Sequence, residues 1–210
     1  MCVQSASGKS TNGLSLPDDL QLVRSDDFFH TEKVVDFGLG REMTGVLAVS
    51  AVGRFIVAAV KPTSQTDMTL YVTHDGEHWH ETIFPEGAAL HEKSFTIIES
   101  SNPALLVDVL SGENAQFGSL YKSNSNGTFF SKSLENTNRN SMGYIDIERI
   151  PGVEGVLVAN QILNPRLVES QSVQREVRTL ISFDDGGSWN EITKVKDMNG
   201  NNMKCYDDKV

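Results

Sequence analysis

Ser182-Phe183-Asp184-Asp185-Gly186-Gly187-Ser188-Trp189 is the stretch from which the fold is read. It fits the pattern Ser-x-Asp-x-Gly-x-x-Trp, in which each fixed residue has a local task. The aspartate carboxylate accepts hydrogen bonds from backbone N–H groups of a hairpin turn, and glycine supplies a positive φ. The tryptophan ring anchors the hairpin on an apolar core. Thr73-His74-Asp75-Gly76-Glu77-His78-Trp79 is a version one residue shorter. Ser123-Asn124-Ser125-Asn126-Gly127-Thr128-Phe129 and Ser25-Asp26-Asp27-Phe28-Phe29 are degenerate versions that keep the leading serine and an aromatic.

Outward from these turns, the apolar runs are short, rich in Val, Ile, Phe and Tyr, and bounded by Gly, Asn, Asp or Ser. That is a strand signal, and no segment shows a helical period. Residues 45–52, 54–61, 68–73 and 79–84 read as four successive strands. Residues 95–99, 105–110, 119–123 and 128–134 repeat the order, as do 144–150, 156–162, 178–183 and 188–193. Residues 20–24 and 33–37 read as the last two strands of an earlier set. The serine or threonine closing each third strand falls at Ser25, Thr73, Ser123 and Ser182, a near-regular spacing whose last interval is the longest.

Four-stranded units at a spacing of about 40 to 50 residues are the signature of propeller blades. An antiparallel sandwich is the alternative, since its strands also recur at roughly 8–12 residues. Recurrence of one turn at one place in the unit favours the propeller. The expected organisation is all-β, a partial β-propeller of about three and a half antiparallel blades. It runs as a polar segment over 1–16, a half blade over 17–44, and blades over 45–92, 93–142 and 143–194. Residues 195–210 begin the next connection.

The formal net charge is −10, with 28 acidic against 18 basic residues, so a nucleic-acid partner is excluded on charge. No apolar run is long enough to span a bilayer, and the segment 1–16 lacks the apolar centre of a signal peptide. Cys2 and Cys205 are too few for a disulfide framework or a zinc site. They are read as two free thiols, one long bridge, or halves of pairs with partners outside the chain.

Turns of this kind, called Asp-boxes, occur in sialidases, other glycosidases and sortilins. Longer strings discriminate: Arg24-Ser25-Asp26-Asp27-Phe28-Phe29, Leu70-Tyr71-Val72-Thr73-His74-Asp75-Gly76, Phe130-Ser131-Lys132-Ser133-Leu134 and Gly155-Val156-Leu157-Val158-Ala159-Asn160-Gln161. With the run over 179–189 and Asp197-Met198-Asn199-Gly200 leading to Cys205, they resemble the luminal domain of the sortilin-type vacuolar sorting receptors, fungal ones above all.

The resemblance implies a ten-bladed propeller in a type I membrane glycoprotein of the Golgi and endosome lumen. It implies soluble cargo proteins such as vacuolar hydrolases as partners, with no catalysis and no cofactor. Ligands of the family enter a tunnel lined by innermost strands, here 45–52, 95–99 and 144–150, and no basic residue among them marks a carboxylate clamp. The family pairs the cysteine matching Cys205 with one further on, beyond Val210. Both Cys205 and Cys2 are therefore expected unpaired here, and the chain is expected to be a fragment of a longer receptor. Two bare outer blade faces would then drive self-association.

Asn126-Gly127-Thr128 is the one glycosylation sequon, placed on a hairpin turn. The rival reading is an Asp-box glycosidase fragment. A sialidase needs an arginine cluster, a Tyr–Glu nucleophile pair and an acidic Asp, and Arg24, Arg41, Arg54 and Arg139 form no such pattern. His74, Glu77, His78 and His80 crowd one hairpin but read as an exposed turn rather than a metal site. Asp197, Asn199 and Asn201 lack the Glu of a calcium loop. Gly8-Lys9-Ser10 and Gly38-Leu39-Gly40 lack the remaining glycines of phosphate-binding loops.

Overall fold

The structure is a computed structural model that describes residues 1–6, 19–40, 42–62, 67–85, 88, 90, 95–99, 103–112, 115–140, 142–171, 173–192, 196 and 198–201. Among these the chain is almost entirely antiparallel β. The first sheet pairs β1 (Cys2–Ser5), β2 (Leu20–Arg24) and β3 (Lys33–Val34) in that order. The second is a four-stranded meander of β4 (Val46–Val52), β5 (Phe55–Val60), β6 (Thr69–Thr73) and β7 (His80–Glu81). A third meander contains β8 (Phe95–Glu99), β9 (Leu105–Leu110), β10 (Phe117–Ser123) and β11 (Phe130–Asn138). A fourth contains β12 (Ile147–Arg149), β13 (Leu157–Ile162), β14 (Val177–Ser182) and β15 (Asn190–Glu191). One pair, Thr137↔Gln161, joins β11 to β13 and merges the last two meanders into a continuous sheet.

Period-two alternation decides how these units stack. On β5, Phe55, Val57 and Ala59 face one way, with Leu70 and Val72 of β6, and pack against Leu105, Val107 and Val109 of β9. Ala58 and Val60, with Tyr71 and Trp79, face the other way onto Leu22, Val35 and Phe37 of the first unit. The opposite side of β9 carries Leu106 onto Leu120, Leu134, Leu157, Ala159 and Leu180, the core between the third and fourth units. Each middle unit is thus apolar on both faces and lies between two neighbours, which is how propeller blades stack. The first strands β4, β8 and β12 each pair on one side only.

Several details differ from the sequence expectation. Cys2–Ser5 lies in the segment read as a polar lead, yet it pairs with β2 through Cys2↔Val23 to Ser5↔Leu20. Val3 packs on the core that the first two units share. The half blade therefore has three described strands rather than two. Its outward side is not bare at β2, where Gln21 and Val23 are buried. A short helix, α1 (Pro165–Gln171), interrupts the all-β reading; Val168 holds it against Ile162 and Phe117. The fourth strands are two residues long in the second and fourth units, and nine in the third. No described helix is long and apolar enough to cross a membrane.

Candidate functional site

Three turns between third and fourth strands are built as one device. At Asp75, Oδ1 accepts from the Glu77 and His78 N–H groups, both at 2.8 Å, and from Thr73 Oγ1 at 3.0 Å. Thr73 Oγ1 in turn accepts from Gly76 N–H at 2.9 Å. At Asp184, Oδ1 accepts from Ser188 N–H and Ser182 Oγ, Oδ2 accepts from Ser188 Oγ, each at 2.8 Å, and Ser182 Oγ accepts from Gly186 N–H. The turn at Ser25 is as complete. Asp27 accepts from Ser25 Oγ, Thr31 N–H and Thr31 Oγ1, and Ser25 Oγ accepts from Phe29 N–H. By sequence that turn is degenerate; its remaining signal is the Ser/Thr-x-Asp spacing shared with the other two.

Donors converging on a carboxylate favour its charged form. The Thr31 hydroxyl and N–H hold Asp27 down to about 2, and the Ser188 N–H with the Ser182 hydroxyl holds Asp184 down to about 2. His78, at 2.7 Å through Nδ1, and the turn N–H groups pull Asp75 well below the usual carboxylate range. The same contact raises His78. His74 instead packs against Phe55 in a tilted pair, with ring centroids 4.7 Å apart, so His74 and His78 serve separate local contacts.

The turns of the second, third and fourth units are each also clasped by the preceding unit. Arg24 Nη1 meets Glu77 Oε1 at 3.0 Å, Arg54 Nη2 donates to the Ser125 carbonyl at 2.7 Å, and Lys122 Nζ donates to the Asp184 carbonyl at 2.8 Å. Ser133 Oγ donates to the Gly186 carbonyl and accepts from Trp189 Nε1 at 3.0 Å. Gly127 shows why glycine is required here: at φ +76°, a Cβ would stand 2.9 Å from the Phe55 ring and 3.1 Å from Val72 Cγ2. Trp79 is buried beside Phe37, ring centroids 5.0 Å apart, but its Nε1 has no hydrogen-bond partner among the described residues.

The turn after β10 lacks the carboxylate, because Ser125 stands at the aspartate position. Asn124 Oδ1 takes its place, accepting from Thr128 N–H at 2.9 Å, while Ser123 Oγ accepts from Leu105 N–H. Asn126 lies exposed at the tip of this hairpin. Cys2 is a free, exposed thiol. Cys205 and Asp197 lie outside the described residues.

At the opposite end of the third and fourth units, a buried ion pair supports a groove that no sequence motif marks. Asp108 is fully buried and accepts from Thr137 Oγ1, Arg139 Nε at 3.0 Å and Arg139 Nη2. Burial pushes its carboxyl up, against the pull of Thr137 and Arg139. Arg139 Nη1 donates to the Gly143 carbonyl at 3.0 Å, fixing the loop that leads to β12. Beside it, Thr96, Leu110, Ala115, Gln116, Asn140, Met142, Tyr144 and Arg175 complete the lining of a cavity of about 560 Å³. Its charged residues are 36 positions apart in sequence and share no motif, so only the fold brings them together.

A family model described as sortilin, neurotensin receptor 3 (Sortilin-Vps10) matches residues 1–210. The vacuolar protein sorting/targeting protein 10 of Laccaria bicolor is 38% identical over 203 residues, 93% of this chain and 14% of its own length. The protein of that name in Aspergillus flavus is 41% identical over 182 residues, 84% of this chain and 12% of its own. The chain thus spans about an eighth of the length of these relatives. Among solved structures, a GH74 enzyme of Niastella koreensis aligns with 82% of this chain and 27% of its own at 16% identity and TM-score 0.40. An α-L-arabinofuranosidase from Fusarium graminearum aligns with 87% and 60% at 12% identity and TM-score 0.38.

Proposed function

The chain belongs to the sortilin–Vps10 family, and from that premise we propose that it forms part of the luminal propeller of a receptor carrying soluble proteins, vacuolar hydrolases among them, from Golgi to endosome and vacuole. The observation that carries this reading is the stack itself. Successive blade-like units with boxed turns in register, over a chain whose full length matches the family, provide a rigid surface for binding proteins. The boxed aspartates are not catalytic acids in this reading. Each accepts several hydrogen bonds from its own turn, which holds it charged and suits a structural pin.

Cargo is held without chemical change, and the receptor acts by differential affinity along its route. The test is deletion of the encoding gene in the source organism, with soluble vacuolar hydrolases followed in medium and vacuole. Secretion of those hydrolases into the medium is the expected result. Their normal delivery, together with turnover of sialosides or glucans by the purified protein, would replace the receptor reading with a glycosidase.

A further inference from the structure

We infer that the groove beside the Asp108–Arg139 pair binds a carboxylate of a protein partner, with Arg175 as its principal contact. The inference rests on the receptor reading for its partner class and on a donor and acceptor census for its chemistry. Both side-chain amide oxygens in the lining are already used. Asn140 Oδ1 accepts from the Met142 and Tyr144 N–H groups, each at 3.0 Å, and Gln116 Oε1 accepts from Arg175 Nη2 at 2.7 Å. The Gly143 carbonyl is taken by Arg139, and the Arg139 carbonyl by Arg175. What remains open is a set of donors. Among the described residues they are the amide N–H groups of Asn140 and Gln116, the unused N–H groups of Arg175, and the hydroxyls of Thr96 and Tyr144, which donate as well as accept.

Charge points the same way. Among the described residues the lining holds two arginines and no aspartate or glutamate, in a chain with a net charge of −10. Arg139 is neutralised by Asp108 at its side. Arg175 bonds only neutral groups among the described residues: Asn138 Oδ1 at 2.9 Å, the Arg139 carbonyl and Gln116. The nearby Asp146 is engaged by Asn138 Nδ2 at 2.6 Å and Asn160. A guanidinium held in position by neutral acceptors keeps its full charge and has already lost its rotamer freedom, so it is preorganised for an anion. Tyr144 and Met142 stand exposed at the rim and offer apolar contact to residues flanking the acid.

The test uses the whole chain and three fluorescent hexapeptides of otherwise neutral sequence. One is acetylated and amidated with a central aspartate, one is the same with asparagine, and one has no acidic side chain but a free C-terminal carboxylate. The aspartate peptide should bind about ten-fold or more tightly than the asparagine peptide, and high salt should erase the difference. Binding by the free-terminus peptide alone would assign the groove to chain ends while keeping the carboxylate chemistry. Arg175→Gln should abolish the preference.

Because Arg175 also ties three segments together, Gln116→Glu is the decisive second variant. It places a carboxylate where Oε1 already meets Arg175, and should abolish peptide binding while leaving the melting temperature unchanged or higher. Equal binding of all three peptides, or acid-selective binding that survives Gln116→Glu, would overturn the inference. Peptide binding judges the groove alone, whereas delivery of hydrolases in cells judges the receptor reading, so either can fail without the other.

Discussion

Replacing Ser133 by alanine isolates one joint between blades. Its hydroxyl donates to the Gly186 carbonyl and accepts from Trp189 Nε1, so a single oxygen ties β11 to the boxed turn and its tryptophan. A neutral hydrogen bond contributes roughly 0.5–1.5 kcal/mol net, and a buried donor left without a partner costs about 1–3 kcal/mol. Trp189 is only half-buried, so water recovers part of that loss. Two such bonds, partly compensated by solvent, put the expected cost of Ser133→Ala at about 2 kcal/mol.

A natural comparison exists within the chain. Tyr121↔Lys132 and Val23↔Val34 are matching pairs two residues before Ser123 and Ser25, which aligns Ser133 with Val35. At that first joint the valine offers no acceptor, and Trp79 Nε1 is accordingly unpartnered among the described residues. Urea unfolding followed by tryptophan emission, in a Trp79→Phe background that leaves Trp189 as the sole reporter, gives the measurement. With a slope of about 2 kcal/mol/M, the midpoint should fall by roughly 1 M. A shift under about 0.2 M at unchanged slope would refute the idea that this hydroxyl holds the joint.

Asp108→Ala should cost about 3–5 kcal/mol, because it strands Arg139 in a buried site, and circular dichroism melts will read it. Stability should gain slightly as pH falls past the raised His78 value and then fall between about pH 4 and 2. Asp27 and Asp184 have folded values of about 2 against 3.8 otherwise, so their contribution is full above the higher value and lost towards the lower; acid titration of the melting temperature checks this. Produced in a secretory compartment, the chain should carry an N-linked glycan on Asn126, removed by Thr128→Ala and kept by Thr128→Ser; a protease-protected yet unmodified chain would contradict it. Self-association should occur through the outward side of the last unit, where Phe183 is 65% exposed beside half-buried Ile181 and Val158. A sharp monomer by light scattering would argue that this face is closed.

What the sequence made legible follows from repetition. A blade buried on both faces needs apolar residues along its whole middle strands, as in Phe55–Val60 and Leu105–Leu110, and its turn needs a fixed set of polar atoms. Both signals recur and reinforce each other. Cys2–Ser5 escaped because Val3 is its one core contact, so alternation across so short a strand had nothing to repeat. The helix escaped because seven residues are too few to show a period. Its available signal was Asn164-Pro165: proline opens the helix, and the Asn164 carbonyl accepts from Leu167 and Val168 N–H groups. Thr137 and Arg139 fell outside the strand read as 128–134, because irregularities in the β10–β11 register carry β11 on to Asn138.

The division between legible and illegible parts has a structural cause. Turns between third and fourth strands lie at one end of every unit, and those of the second, third and fourth units meet a clasp from the preceding one, so their residue types are constrained by stacking. The connections from second to third strand lie at the other end and carry no such constraint. In the second, third and fourth units they run over 61–68, 111–116 and 163–176, differ in length, and the longest of these holds the helix. Arg175 and Gln116 come from two of these connections, and Asn140 and Tyr144 from the link between the third and fourth units. A rigid repeat that leaves one end free to vary is a general way to place binding residues on a stable frame. The donors of the groove are therefore found where the repeat imposes nothing. Single-sequence reading is strong on the frame for the same reason that it is silent on the groove, since a site assembled once has no second copy against which to recognise it.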